Sequence, residues 1–397
     1  MLERIRPIVE RIQTSLGRMW TGHRKAVVAV SAVAVVAILA SGVLIAVGSG
    51  GTAQATATAA PSAGATLTPA ASPSASNSAM ALPSPSDTAA GSAIPSSSWV
   101  ASDLDGVLAP PADAHREPLA VMISDNAVDR PQSGISSASI VYQAPMEGGE
   151  DRYMFVFQEG TATDIGGVRS ARPFFVYWVA EYKAVYAHVG GDPKVLNQVI
   201  PAMAANIYNV ATTCPYHRIS TRSAPHNDYT NTAILISCAA GLNFPSTYQN
   251  LPTRTFRDDT PAAELPASQV VSIPYHTGTV GYQFDPTTDS YLRIIGGKPE
   301  IDPANSKQVY ARNVVVLFQT VSLDPQTDPG YSRILLGNVG SGKATLFIEG
   351  KTISATWKKP SNTALTRFYD SAGNEISLVR GESFMQVVPT GTTVTAK

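Results

Sequence analysis

Residues 170–200 read SARPFFVYWVAEYKAVYAHVGGDPKVLNQVI and change character twice without a long loop. Ser170 is placed to cap a helix whose first turn tolerates Pro173. Phe174 and Trp178, with Ala171 or Glu181, then recur at spacings of three or four. AVYAHV carries strand formers and stops at Gly190-Gly191, where Asp192 is a good cap and Pro193 fits a first helical position. Val195, Leu196, Val199 and Ile200 form the apolar stripe of a second helix. Helix, strand, two glycines and capped helix imply a mixed unit with a polar site at the glycine turn.

Working outward, PLAVMIS (118–124), ASIVYQA (138–144) and RYMFVFQ (152–158) are short, mostly apolar and turn-bounded, as sheet strands are. From 201 to about 258 the pattern is irregular. Within it Asn227 or Asp228 is placed to open a helix that holds Ile234, Leu235 and Cys238 and ends at Gly241. From near Ala262 the chain becomes a series of short segments, among them VVSIPY, SYLRIIG, ARNVVVLFQ, KATLFIEG, KTISATWKK and SFMQVVP, which predict a largely β unit. The expected class is α+β: a mixed domain over 113–260, then a β-rich domain over 261–397. No repeat of fixed period is present.

The chain begins differently. From Ala26, AVVAVSAVAVVAILASGVLIAVGSG runs without a charge, enough to cross roughly 30 Å of hydrocarbon at about 1.5 Å per residue. Arg4, Arg6, Arg11, Arg18, Arg24 and Lys25 precede it, whereas Asp87 is the one charge in the fifty residues after Gly50. That bias predicts a cytoplasmic tail (1–25), a single span (26–48) and a body on the extracytoplasmic side of a bacterial membrane. A cleaved signal peptide is the other reading, supported by the small residues after Gly48. The long flank and long apolar core speak against it, and the lack of a nearby cysteine excludes a lipid-anchored precursor. Residues 49–112, rich in Ala, Ser, Thr and Pro, are expected to form a disordered tether.

A formal charge of -1 argues against a general polyanion binder, leaves a local basic patch open, and points to no nucleic-acid partner. Cys214 and Cys238 are the only cysteines. An oxidising compartment permits a bridge worth about 3 kcal/mol in the loop-entropy account, and two buried free thiols are the alternative. Neither cysteine belongs to a close Cys or His pair, so no metal site is expected, and no cofactor fingerprint occurs.

RPQSGISSASIVYQAPMEGGEDRYMFVFQ (130–158), GGVRSARPFFVYWVAEYKAVYAHVGGDP (166–193) and RSAPHNDYTNT (222–232) together resemble the YerB family of bacterial envelope proteins, known as domains of unknown function. YLRIIGG, ARNVVVLFQT, GKATLFIEGKTISATWKK and FMQVVP resemble its carboxy-terminal domain, and the likeness spans roughly residues 113 to 393. Members are commonly lipoproteins. An uncleaved helix with a tether departs from that pattern, while the implied compartment agrees. The resemblance implies an architecture more than an activity.

The residues with chemistry to offer are Glu147, Arg169, Arg172, Glu181, His188, His217, Arg222 and His226. Arginine presents a planar fork of donors suited to carboxylate or phosphate, and the helix start at Asp192 supplies backbone donors that Asp192 itself can occupy. Arg169, Arg172, Glu181, His188, Arg222 and His226 are therefore expected to line one ligand-binding cleft. A buried ion-pair network explains Arg169, Arg172 and Glu181 equally well, and a core position explains His188. Glu147, with Glu150 or Asp151 as partner, is the acid candidate for a glycan-cleaving reaction. No serine elbow, HExxH or P-loop accompanies it. Two functions stay open: binding of an anionic or glycan envelope ligand, or a cell-wall hydrolase or lyase with Glu147 as general acid. The expected partners are the cytoplasmic membrane, peptidoglycan or another anionic envelope polymer, and envelope proteins.

Overall fold

Leu119–Ser124 (β1), Ile140–Pro145 (β2) and Asp151–Phe157 (β3) are buried along their whole length. Strands that read as apolar runs rather than alternating patterns are covered on both faces. The computed structural model describes residues 96–208, 214, 216–248, 250–325 and 333–397. After β3 come helix Pro173–Glu181 (α1), strands Val185–His188 (β4) and Ala205–Tyr208 (β5), and helix Thr232–Gly241 (α2). The second half contributes Val270–Tyr275 (β6), Gly278–Asp285 (β7), Ser290–Ile295 (β8) and Asn313–Gln319 (β9). Gly340–Ile348 (β10), Lys351–Lys359 (β11), Arg367–Tyr369 (β12) and Ser383–Pro389 (β13) follow.

One ten-stranded sheet runs through both halves in the order β12, β11, β10, β9, β13, β2, β3, β1, β4, β5. The junction is a parallel pair that sets Ser383 of β13 beside Ile140 of β2 and Gln386 beside Gln143. On one face α1 lays Phe174, Phe175 and Trp178 against Tyr142, Met154 and Met385. The Trp178 ring stacks on Tyr142 with centroids 4.8 Å apart, and truncating it to alanine would cost roughly 3–5 kcal/mol. On the other face a second sheet built on β6, β7 and β8 adds Val271, Ile273, Val280 and Tyr282 to a core shared with Val141, Phe155 and Phe384. The result is helix, sheet, sheet, and the carboxy-terminal half is largely β as expected.

Local starts and stops differ from expectation in three places. Arg172, not Ser170, occupies the cap position of α1, and its side chain makes no capping bond. The Ser170 hydroxyl is occupied by two arginines instead. Asp228–Thr230 is a strand, and α2 is capped by Asn231, whose side chain accepts from the Ile234 amide at 2.8 Å. Folded structure also reaches into the expected tether, because a short ribbon pairs Val100–Ala101 with Leu108–Ala109 and buries Leu104 and Asp105. A few apolar residues, Trp99, Val100, Leu104, Val107 and Leu108, set among Ser, Ala, Asp and Pro hide that boundary. The tail 1–25, the span 26–48 and the tether up to residue 95 lie outside the described residues. Among those described, no helix is long and apolar enough to cross a membrane.

The halves are also joined by buried charge. Lys359 Nζ, at the end of β11, donates to Glu181 Oε1 at 2.7 Å, Ala364 O at 2.7 Å and Tyr177 O at 3.2 Å. Thr366 donates to both Glu181 oxygens, and neither ionic side chain reaches solvent. Removing Lys359 takes away the nearest cation of Glu181 and leaves buried Arg254 at 3.7 Å, so Lys359→Met is expected to lower unfolding free energy by about 3 kcal/mol, with part recovered by adding Glu181→Gln. Urea denaturation of the three chains measures it, and a neutral Lys359→Met would contradict the assignment.

Glu117 gives a pH signature. Neither of its carboxyl oxygens has a hydrogen-bond partner, and burial lifts its pKa to about 7. A carboxyl held protonated in the fold but not in the unfolded chain makes stability fall as pH rises from about 4.5 to about 7. Glu117→Gln should remove that fall, matching the parent below this window and exceeding it above. Melting temperatures across the range check this.

Candidate functional site

The β2–β3 hairpin turns through Gly148 and Gly149, both at positive φ (74° and 73°), and carries Glu147 to the start of α1. There Arg172 closes on it: Nε donates to Glu147 Oε1 at 2.7 Å, and Nη2 donates to the same oxygen. Arg172 Nη1 donates to Ser170 Oγ at 3.0 Å and to Ala171 O at 2.9 Å. Burial pushes the Glu147 carboxyl up, but the Arg172 hydrogen bonds and charge outweigh it and hold the pKa below the ordinary carboxylate value. Glu147 is thus kept ionised.

Beneath this pair lies Arg152, the first arginine of β3. Its Nη1 donates to Ser170 O at 2.7 Å and Ser170 Oγ at 3.1 Å, while Nε has no partner. Burial, reinforced by the charge of Arg172, lowers its pKa to about 10. Ser170 Oγ therefore accepts from two guanidiniums, and its own hydrogen is left to donate.

The opposite wall is the turn after β4. Gly190 adopts φ +79°, and a Cβ on Gly191 would sit 2.9 Å from the Leu196 side chain, which is why two glycines are needed here. Asp192 Oδ1 accepts from the Lys194 and Val195 amides at 3.0 and 3.2 Å and from Arg333 Nη1 at 3.0 Å. The backbone donors expected to take an anion are thus occupied by Asp192 itself. Glu147, Ser170, Arg172, Gly191, Asp192 and Arg333 line a cleft of about 430 Å³. Glu147 Oε2 and Asp192 Oδ2 accept no hydrogen bond.

Of the six residues expected to converge, Arg172 alone lines this cleft, and Glu147, the acid candidate, lines it beside Arg172. Arg169 and His226 meet each other one step away, on the buried carboxylate of Asp129. His226 Nδ1 lies 2.9 and 3.0 Å from the Asp129 oxygens and 2.7 Å from Arg169 Nη2. One nitrogen cannot accept from a guanidinium and donate to a carboxylate together. The acceptor-only carboxylate takes the N–H and leaves Nε2 as the open position. Arg222 donates to the Tyr229 hydroxyl at 2.6 Å and to Pro131 O at 3.3 Å.

Arg169, Arg222 and His226 thus do not line the cleft, and neither do Glu181 and His188. Glu181 sits at the far end of α1 in the Lys359 pair. His188 is buried between Tyr186 and Tyr208, with its ring nitrogens against Gly190 O (2.8 Å) and Asn206 Oδ1 (3.0 Å), and burial lowers its pKa. His217 is exposed near Asp164 at 3.5 Å. Cys214 and Cys238 form a disulfide, with Cα atoms 5.6 Å apart, that ties the segment after β5 to α2. Glu150 lies on the surface, 3.8 Å from Arg152, and Asp151 accepts the Thr277 amide and hydroxyl, both at 2.7 Å, so neither pairs with Glu147 across the cleft.

Sequence reading passed over Arg152, Asp129 and Arg333. A signal existed for Arg152: a charge at the head of a strand buried on both faces must be paired with something. Asp129 ends a single 3-10 turn, Ala127–Asp129, and Arg333 directly precedes the short strand Ile334–Leu336, neither of which marks a site in sequence. Asp259, Asp289 and Glu349 also gather within 4.8 Å. Arg257 and Arg312 hold those carboxylates at 2.6 to 3.1 Å, so guanidiniums stand where a cation would have to bind.

The fold is that of α+β proteins whose two halves share one mixed sheet. The chain belongs to the DUF3048 family, described as proteins of unknown function: residues 104–244 match its N-terminal domain and 271–385 its C-terminal domain. It is 27% identical over 293 residues to "Putative lipoprotein YerB" of Bacillus subtilis (strain 168), covering 72% of this chain and 85% of that one. The crystal structure of the YerB protein from Bacillus subtilis superposes with a TM-score of 0.67 at 23% identity, covering 75% of this chain and 99% of that chain, and shares the fold.

A carboxylate whose pKa is depressed in the fold adds stability above its unfolded value and loses it as pH falls through the folded one. Glu147→Gln should therefore lower the denaturation midpoint most at neutral pH, and its difference from the parent should close in the acid range. A constant difference across pH would show that Arg172 does not hold the ionised form.

Proposed function

We propose that this chain is a membrane-anchored envelope protein whose body, held outside the cytoplasmic membrane, binds a hydroxyl-rich glycan at the Glu147–Arg172 cleft. The anchor in this reading is the uncharged stretch 26–48 with its preceding basic tail. The likeness to a Bacillus subtilis protein named as a lipoprotein supports membrane association, reached there by another route. Peptidoglycan is the ligand that fits this compartment and chemistry.

The observation that carries the reading is the distribution of unused hydrogen-bond capacity. Arg172 is committed to Glu147, Ser170 and Ala171, and Arg333 is paired with Asp192, so the guanidiniums are neutralised in place. What remains is one oxygen on each carboxylate, both covered by neighbouring atoms so that a side-chain shift must open them, and the Ser170 hydrogen. Sugar hydroxyls donate to the first and accept from the second, which favours the glycan over the anionic form of the ligand. The same geometry speaks against Glu147 as a general acid, because that role needs a carboxyl kept protonated and Arg172 does the opposite.

The full chain in neutral detergent, incubated with purified peptidoglycan, should show saturable retention without release of soluble fragments. Asp192→Asn, which replaces an acceptor by a donor at the orphan oxygen, should weaken retention by about tenfold, the size expected from one buried group left unpaired. Release of fragments that stops in Glu147→Gln would replace binding with catalysis, and absence of both retention and release would reject the reading.

A further inference from the structure

The far end of the large sheet carries a second surface of different chemistry. Alternate positions of β11 face opposite ways: Trp357 and Lys359 are buried towards α1, while Thr356 and Lys358 are exposed. The register sets Ser341 of β10 opposite Lys358, and Lys358 opposite Arg367 of β12. One row further on stand Lys343, Thr356 and Tyr369. Directly opposed side chains are about 5 Å apart at Cβ and diagonal ones about 7–8 Å, so Lys343, Lys358 and Arg367 form one cationic cluster on one face. A groove of about 560 Å³ opens beside it, between Ser341, Lys358, Arg367 and Tyr369 on the sheet and Pro252 and Pro360 on the flanking loops.

Opposing two cations across an antiparallel pair costs stability, and the acids nearby do not fully offset it. Glu375 is committed to Arg367 at 2.6 Å, and Asp370 accepts from the amides and side chain of its own turn. Lys358 lies over the Tyr369 ring at 4.4 Å and Lys343 over the Phe318 ring at 4.9 Å. Neither lysine is paired with a carboxylate among the described residues. The ring contacts hold the two ammonium groups in place without neutralising them.

We propose that this face binds an extended anionic chain whose phosphate or carboxylate groups recur about every 5–8 Å, the spacing of the cations across the strands. The anions sit against Lys343 and Lys358, with Arg367 beside them held by Glu375; the Ser341 and Thr356 hydroxyls donate to them, and Tyr369 with the proline walls covers the uncharged links. The site is independent of the glycan cleft. It uses the opposite face of β11 from the one that packs on α1, and a chain of near-zero net charge can carry it because the cations are local.

The test measures binding of the full chain, in neutral detergent at low ionic strength, to long-chain polyphosphate, polygalacturonate, neutral dextran and phosphatidylglycerol vesicles. At least one soluble polyanion should bind, with affinity that falls steeply as salt is added, and the comparison of polyphosphate with polygalacturonate assigns the anion. Lys343→Gln with Lys358→Gln should weaken that binding at least tenfold while leaving the melting temperature equal or higher, since like-charge repulsion is removed. Asp192→Asn should leave it unchanged, which separates failure here from failure at the glycan cleft. Unchanged affinity in the double variant, no affinity for either polyanion, equal affinity for dextran, or binding to vesicles alone would each overturn the proposal.

Discussion

The parallel pairing of β2 with β13 is the contact on which the rest of the molecule depends. Its partners lie more than two hundred residues apart, and each would otherwise be an open edge of apolar strand, which invites pairing with other chains. With the pair formed, β2 is covered on both faces, by α1 on one side and the second sheet on the other. Glu147 then sits just past the end of a strand that cannot shift register without turning Tyr142 away from Trp178 and Val141 away from Phe384. The cleft inherits its precision from that register. Neither half supplies both layers over β2 alone, so two stretches recognisable separately in sequence behave as one body.

Buried charge does the cross-bracing. Asp125 receives Arg130 at 2.7 and 2.9 Å and Gln143 at 2.7 Å, and Arg130 also donates to Thr277 O at 2.9 Å, which ties the first half to the β6–β7 turn. Arg293, wholly buried among Tyr153, Tyr282 and Phe384, donates to Gln143 and Tyr153 and lies 3.0 Å from Glu300. Such groups are costly to desolvate and contribute little net stability against apolar replacements. Their effect is on uniqueness: a shifted sheet would leave charges unpaired in a dry core.

Most strands were legible because their signal is local: apolar runs between turn residues. Sheet order was not, since it depends on pairing between distant segments, and the β2–β13 junction leaves no trace in either strand. The helix and glycine turn of 170–200 were read from spacing, whereas the cap of α1 was misassigned because Ser170 answers to Arg152, eighteen residues earlier. Arg172 was recognised as chemically important, but its partner choice was not. Glu181 and His188 show the converse. Polar residues at regular positions suggested a site, and the structure uses them as satisfied core groups. Residues whose meaning is tertiary, such as Asp129 and Arg333, carried no local pattern to find.

Arginine in the cleft acts chiefly by controlling carboxylates. Arg172 fixes Glu147, Arg333 fixes Asp192, and Arg152 with Arg172 fixes Ser170 from both sides, so acceptors and one hydroxyl are held in place before any ligand arrives. Each orphan oxygen costs free energy while it lacks a donor. On the glycan reading proposed above, a ligand hydroxyl would relieve that cost, and a molecule missing the hydroxyl would leave the acceptor unpaired. The arginine-rich turn that first suggests an anion site is, once its pairs are counted, a set of carboxylates and one hydroxyl already held by guanidiniums.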